Sequence, residues 1–178
     1  MVQLKVYSES AELITQTANA LEAKDLLSRV GIDYEFWFTK NLESYSEDEI
    51  MQLCAADIER IKTKHGFKSV DVVSMSPDIG DDELKPIREK FLAEHIHEDD
   101  EVRFFIDGSG LFFVHAGDRV YELLCERGDF VAVPANTKHW FDTGLKPNFK
   151  CIRFFTNEEG WLAKYTGDQI ATLWQQVA

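Results

Sequence analysis

The second half of the chain consists of short apolar runs that glycine, aspartate and proline interrupt at close intervals. Runs of this length, bounded by turn-forming residues, are typical of sandwiches and barrels of antiparallel strands. We therefore predict strands at 91–97, 102–106, 111–115, 119–125, 130–133, 138–142 and 150–155. This spacing constrains the fold more than any other feature of the chain, because it demands a closed or double-layered β structure.

The first half alternates helix and strand signals. Strands are predicted at 2–7, 34–39 and 69–76, and helices at 19–30, at 83–90 and from a capping box at Ser46–Glu49 to about His65. No linker interrupts the chain. The predicted fold class is therefore α+β, mainly β, as one domain over 1–178. In that domain 1–90 packs outside a barrel core at 91–156, and 157–178 forms a tail that is helical at about 168–176.

Four side chains on or beside these strands are typical metal ligands. His95 and His97 are two residues apart, so on a strand both point to the same face. Glu101 follows four residues later, and His139 can add a nitrogen from another strand. Three nitrogens and one oxygen leave open positions on an octahedral metal, which suits iron, manganese, cobalt or nickel better than structural zinc. The pattern therefore predicts a metal site at which chemistry can occur.

Strand parity adds further candidates. Arg103 shares the face of Glu101 for as long as the strand stays regular, and an arginine there needs an anion, either a substrate or an acidic side chain. Arg153 is a second candidate of the same kind. Phe91 and Phe141 flank the ligand strands, where each can belong to the apolar core or border a substrate.

Three other polar residues are expected outside the ligand set. His115 lies near the end of a predicted strand, beside a turn. Glu94 and Glu98 have the opposite parity from His95 and His97, so either can orient an imidazole from behind rather than bind the metal itself.

Charge and cysteine content limit the partners and the compartment. The net charge is −13 and the pI is near 4.7, which disfavours nucleic acid and anionic membrane surfaces as partners and favours a monomer. No uninterrupted apolar run approaches the length of about 18 residues that spans a bilayer. Cys54, Cys125 and Cys151 form no paired motif, and we expect each to be buried in a protein of the reducing cytoplasm.

The spacing H-x-H-x3-E-x6-G, from His95 to Gly108, is followed by G-x5-P-x4-H, from Gly128 to His139. These two motifs resemble those of the cupin superfamily, whose members are small jelly-roll β-barrels (double-stranded β-helices) with a metal in the barrel mouth. The second motif departs from the usual pattern, since Asn136 replaces a common glycine and Thr143 a common asparagine. Asn tolerates left-handed backbone geometry, so the turn can persist.

A narrower resemblance, to the acireductone dioxygenase family, covers nearly the whole chain and is dense from about 84 to 168. The segments that carry it are Glu94–His97, Asp100–Phe105, Gly108–Gly110, Val133–Ala135, His139–Asp142, Pro147–Phe149, Gly160–Trp161 and Thr166–Asp168. No ligand position departs from the family pattern.

The resemblance implies a cytoplasmic enzyme of methionine salvage that cleaves the acireductone 1,2-dihydroxy-3-keto-5-methylthiopentene with dioxygen. It implies Fe2+ as the cofactor, giving formate and 4-methylthio-2-oxobutanoate, with Ni2+ as an alternative metal that gives formate, carbon monoxide and methylthiopropionate. The ligands implied are His95, His97, Glu101 and His139. Arg103 and Arg153 are implied to lie near the substrate anion, and Phe91 and Phe141 to line its pocket.

Two other functions fit the same ligand set. One is a different cupin dioxygenase, of the quercetinase or oxalate type, which activity on flavonols or oxalate would reveal. The other is a non-catalytic cupin that binds a metal or a small ligand without consuming oxygen. The residues around Arg103 and in 161–168 distinguish the first of these from an acireductone dioxygenase.

Overall fold

The computed structural model describes residues 2–37, 42, 44–156 and 162–175. The strands of this described part are β1 Gln3–Ser8, β2 Leu13–Thr17, β3 Asp33–Phe36, β4 Ser69–Met75, β5 His95–Ile96, β6 Glu101–Ala116, β7 Arg119–Glu126, β8 Asp129–Val133, β9 Lys138–Asp142, β10 Asn148–Phe155 and β11 Lys164–Tyr165. Its helices are α1 Ala20–Ser28, α2 Glu47–Leu53, α3 Ala55–His65, α4 Asp81–Leu92 and α5 Thr172–Gln175. The predicted α+β class, mainly β, is confirmed.

One long strand, β6, organises the sheet. Its first half pairs with β8 and β10, and its second half pairs with β7 and β9, always antiparallel. From β6 the sheet continues through β7 to β1 and β2 on one side and through β9 to β5 and β11 on the other. Among the described residues this order does not close into a continuous ring. A strand shared in this way between two groups of strands is consistent with the predicted cupin jelly roll.

A β-bulge in β6 changes which side chains face the interior. Lys150 of β10 pairs with Asp107, but the next residue, Cys151, pairs with Phe105, so Ile106 is an extra residue in β6. Before the bulge, odd-numbered residues such as Phe105 pack in the interior; after it, even-numbered residues such as Phe112 do so. The sequence predicts two strands, 102–106 and 111–115, where the structure has one bulged strand.

The N-terminal half supplies strands as well as helices to this architecture. β1 pairs with β7, β3 with β8 and β4 with β10, and β2 pairs with β1, so four N-terminal strands extend the sheet. Helices α2 and α3 cover its outer face, where Ile58 and Ile61 pack against Phe104 and Phe154. The capping box at Ser46 is confirmed, but the helix predicted to run to His65 is divided at Cys54, which has non-helical dihedral angles.

Other boundaries also differ from prediction. The strand predicted at 91–97 is wrong at its start, because Phe91 belongs to α4 and the strand covers only His95–Ile96. In the predicted strand at 34–39, residues 38 and 39 lie outside the described residues, as does position 176 of the predicted tail helix. The tail contains the short helix α5, and Ile170 and Trp174 of the tail pack against the sheet.

No helix in the described ranges has both the length and the apolar composition needed to cross a membrane. All three cysteines are buried and unpaired, as expected.

Glu35 joins α3 to the sheet and gives the fold a defined response to acid. Burial by itself raises the pKa of Glu35, but hydrogen bonds from Trp37, Arg60 and Lys64 outweigh it and lower the pKa to about 2. Because the folded-state pKa lies below the unfolded value near 4.5, this group stabilises the protein above pH 4.5 and loses its effect as the pH falls towards 2.

We expect Glu35→Gln to lower the free energy of unfolding at pH 7 by about 1–3 kcal/mol, with the difference from the wild type vanishing between about pH 4.5 and pH 2. Urea unfolding at a series of pH values measures this. Glu59→Gln is the matched control, since Glu59 forms an exposed pair with Lys62 on α3 and should change stability by less than about 0.5 kcal/mol. A pH-independent difference for the Glu35 variant would contradict the interpretation.

Candidate metal centre

The structure brings the four predicted ligands together in the interior. His95 is on β5, His97 directly follows that strand, Glu101 begins β6 and His139 is on β9. The pairing of β5 with β9 places His95 opposite His139. The ring centroids of the three histidines lie 4.6–5.0 Å apart, and one donor atom from each of the four side chains lies within 4.8 Å of the others. We call this group the four-residue cluster.

Each histidine of the cluster is held by a backbone carbonyl. The Nδ1 atom of His95 donates to the oxygen of Ala93 at 2.7 Å, and that of His139 donates to the oxygen of Thr137 at the same distance. His97 Nδ1 donates to the oxygen of Leu162 at 3.1 Å. Because Nδ1 carries the proton, each neutral ring presents the lone pair of Nε2, and in His97 and His139 that atom contacts Glu101.

The Glu101 carboxylate lies between these rings and Arg103. Its Oε2 atom is 2.9 Å from Nε2 of His97 and 3.1 Å from Nε2 of His139, and its Oε1 atom accepts a hydrogen bond from Nε of Arg103 at 2.9 Å. A carboxylate oxygen and an imidazole lone pair are both acceptors. Their close approach therefore requires a positive charge between or upon them, which a proton or a bound cation can supply.

The electrostatics agree with this geometry. Burial alone raises the pKa of Glu101, but the charge of Arg103 and the hydrogen bonds that Glu101 accepts from His139 and His97 when their Nε2 atoms carry a proton hold the pKa well below its usual range. Burial, together with the neighbouring His139 ring, lowers the pKa of His95 to about 4. Burial also acts to lower the pKa of His97, but its hydrogen bond to Glu101 outweighs this and raises it. At neutral pH the cluster therefore holds an ionised carboxylate and a neutral His95.

This donor set fits a divalent transition metal. Imidazole nitrogens suit iron, nickel, copper and zinc, and one carboxylate adds a hard donor with a negative charge. All four side chains are buried, and the three Nδ1 hydrogen bonds orient the rings as they do in known metal sites. A metal here would satisfy the Nε2 and carboxylate acceptors together.

The turn before His139 is built as the motif predicts. Asn136 has φ of 62°, the left-handed conformation that asparagine tolerates, and its amide donates to the oxygen of His97. The amide of Ala135 donates to the Asp100 carboxylate at 2.9 Å. The turn therefore binds the segment that follows the His95–His97 pair, and it fixes the two motifs relative to each other.

A cavity of about 670 Å³ is lined in part by Arg103, whose guanidinium binds Glu101 of the cluster. The guanidinium carbon of Arg103 lies 4.6 Å from the ring centroid of Phe141, and both residues line the cavity. Phe91 lines it from α4, and Arg153 lines it from β10. The structure thus places the four predicted substrate-contact residues around one cavity, next to the cluster.

Arg153 binds an acidic side chain, which is one of the two kinds of anion that the sequence predicted as its partner. Its Nε and Nη2 atoms donate to the two carboxylate oxygens of Asp71 on β4, at 2.9 and 2.6 Å. This pair fixes the guanidinium at the cavity wall and offsets part of its charge.

Sequence reasoning missed most of the cavity wall. Strand β4 and helix α4 contribute Val73, Met75 and Ile87, which come from the half of the chain that carries no metal motif. Their apolar spacing signals burial but not a cavity, so only the pairing of β4 with β10 reveals their position.

Behind the cluster lies a second buried polar group. Glu94 accepts hydrogen bonds from Nδ1 of His115, at 2.5 Å, and from the Thr166 hydroxyl, at 2.7 Å. The bulge in β6 turns His115 away from the interior, so it does not reach the four-residue cluster. Glu94 thus orients the imidazole of His115 and not, as expected, one of the cluster, and Glu98 pairs with Lys164. Of the segments that carry the family resemblance, Gly160–Trp161 lies outside the described residues.

Comparisons with known proteins agree on one family. A family model described as the ARD/ARD' family matches residues 3–163. An acireductone dioxygenase from Aquifex aeolicus is 44% identical over 96% of this chain and 93% of its own, and one from Methylococcus capsulatus is 47% identical over 90% and 86%. The structure of an acireductone dioxygenase from Bacillus anthracis, with a cadmium ion in its active center, superposes with a TM-score of 0.80 at 28% identity, covering 93% of this chain and 98% of that one.

We expect Glu101→Gln to weaken divalent metal binding at least about 100-fold, because it removes the negative charge from a buried set of four donors. Calorimetric titration with Ni2+, with metal content checked by mass spectrometry, measures the change. His65→Gln is the control, since His65 lies at the end of α3 and outside the cluster. Unchanged affinity in a folded Glu101 variant would place the metal elsewhere.

Proposed function

This chain belongs to the ARD/ARD' family of acireductone dioxygenases, which are metal-dependent, and we propose that it cleaves an acireductone with dioxygen at one metal held by His95, His97, Glu101 and His139. The observation that carries the proposal is the position of Arg103. It contacts the metal-binding carboxylate on one side and borders the cavity on the other. A substrate that binds the metal from this cavity must pass beside it.

The cavity suits a small anion with an apolar tail. Arg103 and Arg153 place two positive charges in its wall, and an enediolate carries negative charge on adjacent oxygens. Met75, Phe91 and Phe149 supply an apolar surface where a methylthioethyl tail would lose contact with water. We propose that the enediol end lies towards Arg103 and that the tail extends towards β4 and α4.

A bound divalent metal supplies Lewis acidity, which stabilises the deprotonated enediol. The protein contributes orientation and charge. The backbone carbonyls of Ala93, Leu162 and Thr137 bind the Nδ1 atoms of the three histidines and so orient their Nε2 lone pairs. Arg103 neutralises charge at the Glu101 carboxylate. Phe91, Phe141 and Phe149 give the cavity a partly aromatic, apolar wall against which the substrate would lie.

Within this function we propose Fe2+ as the resident metal, with formate and 4-methylthio-2-oxobutanoate as products. With Ni2+ we propose formate, carbon monoxide and methylthiopropionate. We further propose that the protein is a monomer, that it is located in the cytoplasm and that it takes part in methionine salvage. The net charge of −13 supports the monomer, and the three buried, unpaired cysteines support the reducing cytoplasm.

The decisive experiment is aerobic turnover of synthetic acireductone by the protein reconstituted separately with Fe2+ and Ni2+. We expect each form to consume substrate faster than its spontaneous oxidation, and mass spectrometry with gas analysis to find carbon monoxide only with Ni2+. Identical products from both forms would contradict the assignment of products to metals.

The same preparations test the proposed function itself. A folded, metal-loaded sample that shows no enhancement over background would exclude an acireductone as substrate. Flavonols and oxalate are the next substrates to assay in that case, with oxygen uptake separating another dioxygenase from a binding protein.

We expect Arg103→Lys to lower kcat/KM by about 10–100-fold, because lysine keeps the charge but loses the planar donor that both stacks on Phe141 and binds Glu101. Metal content must be measured alongside, so that lost ligation is not mistaken for lost substrate binding. Arg60→Lys is the matched control, because Arg60 lies over the Trp37 ring at 5.1 Å on the opposite, helix-covered face. Equal activity of both variants would remove Arg103 from the site.

A further inference from the structure

Gly110 is a glycine whose backbone does not require one. It lies in β6, is buried, and is not among the described glycines with positive φ. Gly108, two residues earlier, differs in two ways: its φ is 66°, and a Cβ atom there would lie 1.8 Å from the backbone oxygen of Asn148. Gly108 is thus explained by the backbone, whereas Gly110 needs another reason.

That reason is the ring of Phe141. A Cβ atom on Gly110 would lie 2.3 Å from Cζ and 2.7 Å from Cε2 of Phe141, well inside van der Waals contact. The register explains the approach, since Phe141 lies opposite Phe112 and Gly110 is the diagonal neighbour on the same face. Any side chain at position 110 must displace the ring.

The ring has limited room to move. Its centroid lies 5.2 Å from that of Phe112, 5.8 Å from that of Phe149 and 6.4 Å from that of Phe105, and the guanidinium of Arg103 lies 4.6 Å away. Because these rings belong to a packed core, a displaced Phe141 can yield only towards Arg103 or into the cavity that it lines.

We propose that Gly110 is a positioning residue that determines substrate specificity: by leaving space for the Phe141 ring, it keeps open the passage between the cavity and the four-residue cluster. This inference rests on the proposed function, since it takes the cavity as the path of the substrate. It adds a residue that touches neither the metal ligands nor the cavity and that acts through Phe141. Bulk at position 110 narrows the passage, so substrates with larger tails suffer most.

The kinetic test compares two acireductones, one with the methylthioethyl tail and one with the tail shortened to a methyl group. We expect Gly110→Ala to lower kcat/KM for the long-tailed substrate by about tenfold more than for the short-tailed one. A merely structural defect lowers the active fraction and reduces both values by the same factor. Equal losses, or no loss, would overturn the proposal.

Rescue gives a second criterion. Phe141→Leu introduced into the Gly110→Ala protein removes the ring atoms that clash, and we expect it to restore at least half of the lost preference for the long tail. Gly80→Ala is the matched control, because Gly80 also has no positive φ and a Cβ atom there meets nothing within 4 Å. It should leave both rates unchanged. Failure of the Leu variant to restore selectivity would show that Gly110 does not act through Phe141.

Thermal unfolding separates this inference from the proposed function. We expect Gly110→Ala to lower Tm by roughly 2–10 °C in the wild-type background and by less than half as much in the Phe141→Leu background. This measurement needs no substrate. If the wild type fails to consume acireductone but the coupling is present, the function is wrong and the steric link stands; additive Tm shifts overturn the link itself.

Discussion

The interior of this protein depends on the compensation of one buried carboxylate. Glu101 is almost fully removed from water, and an isolated ionised carboxylate is costly in such a place. Arg103 binds one of its oxygens, and the imidazoles of His97 and His139 face the other. The strands that carry these groups must meet at this point. If any partner were missing, a charge or a ring nitrogen would remain buried without compensation.

The bulge in β6 allows one strand to serve both the cluster and the cavity. Before it, Glu101 and Arg103 face the interior at odd positions; after it, Gly110 and Phe112 do so at even positions. A regular strand would instead have turned His115 inward and Phe112 outward. The extra residue Ile106 therefore keeps His115 away from the four-residue cluster and places the Phe112 ring that contacts His139.

The local pattern predicts the cluster well because period-two alternation and ligand spacing are properties of neighbouring residues. His95 and His97 share a face on any strand, so their convergence needs little knowledge of the fold. The cavity depends on long-range pairing: Asp71 meets Arg153 only because β4 lies beside β10. The bulge was likewise hidden, since a glycine-rich segment at 108–110 predicts an interruption between two strands and not a change of parity within one strand.

The groups behind the cluster show how the fold protects its geometry. Glu94 precedes a ligand strand and binds both His115, at the end of β6, and Thr166, just after β11. Strand β11 pairs with β5, and the Leu162 carbonyl binds His97. Distant segments thus converge on the backbone around His95 and His97 from the outer face. Because a metal site tolerates little displacement of its donors, these contacts stabilise the backbone that carries His95 and His97 without themselves belonging to the four-residue cluster.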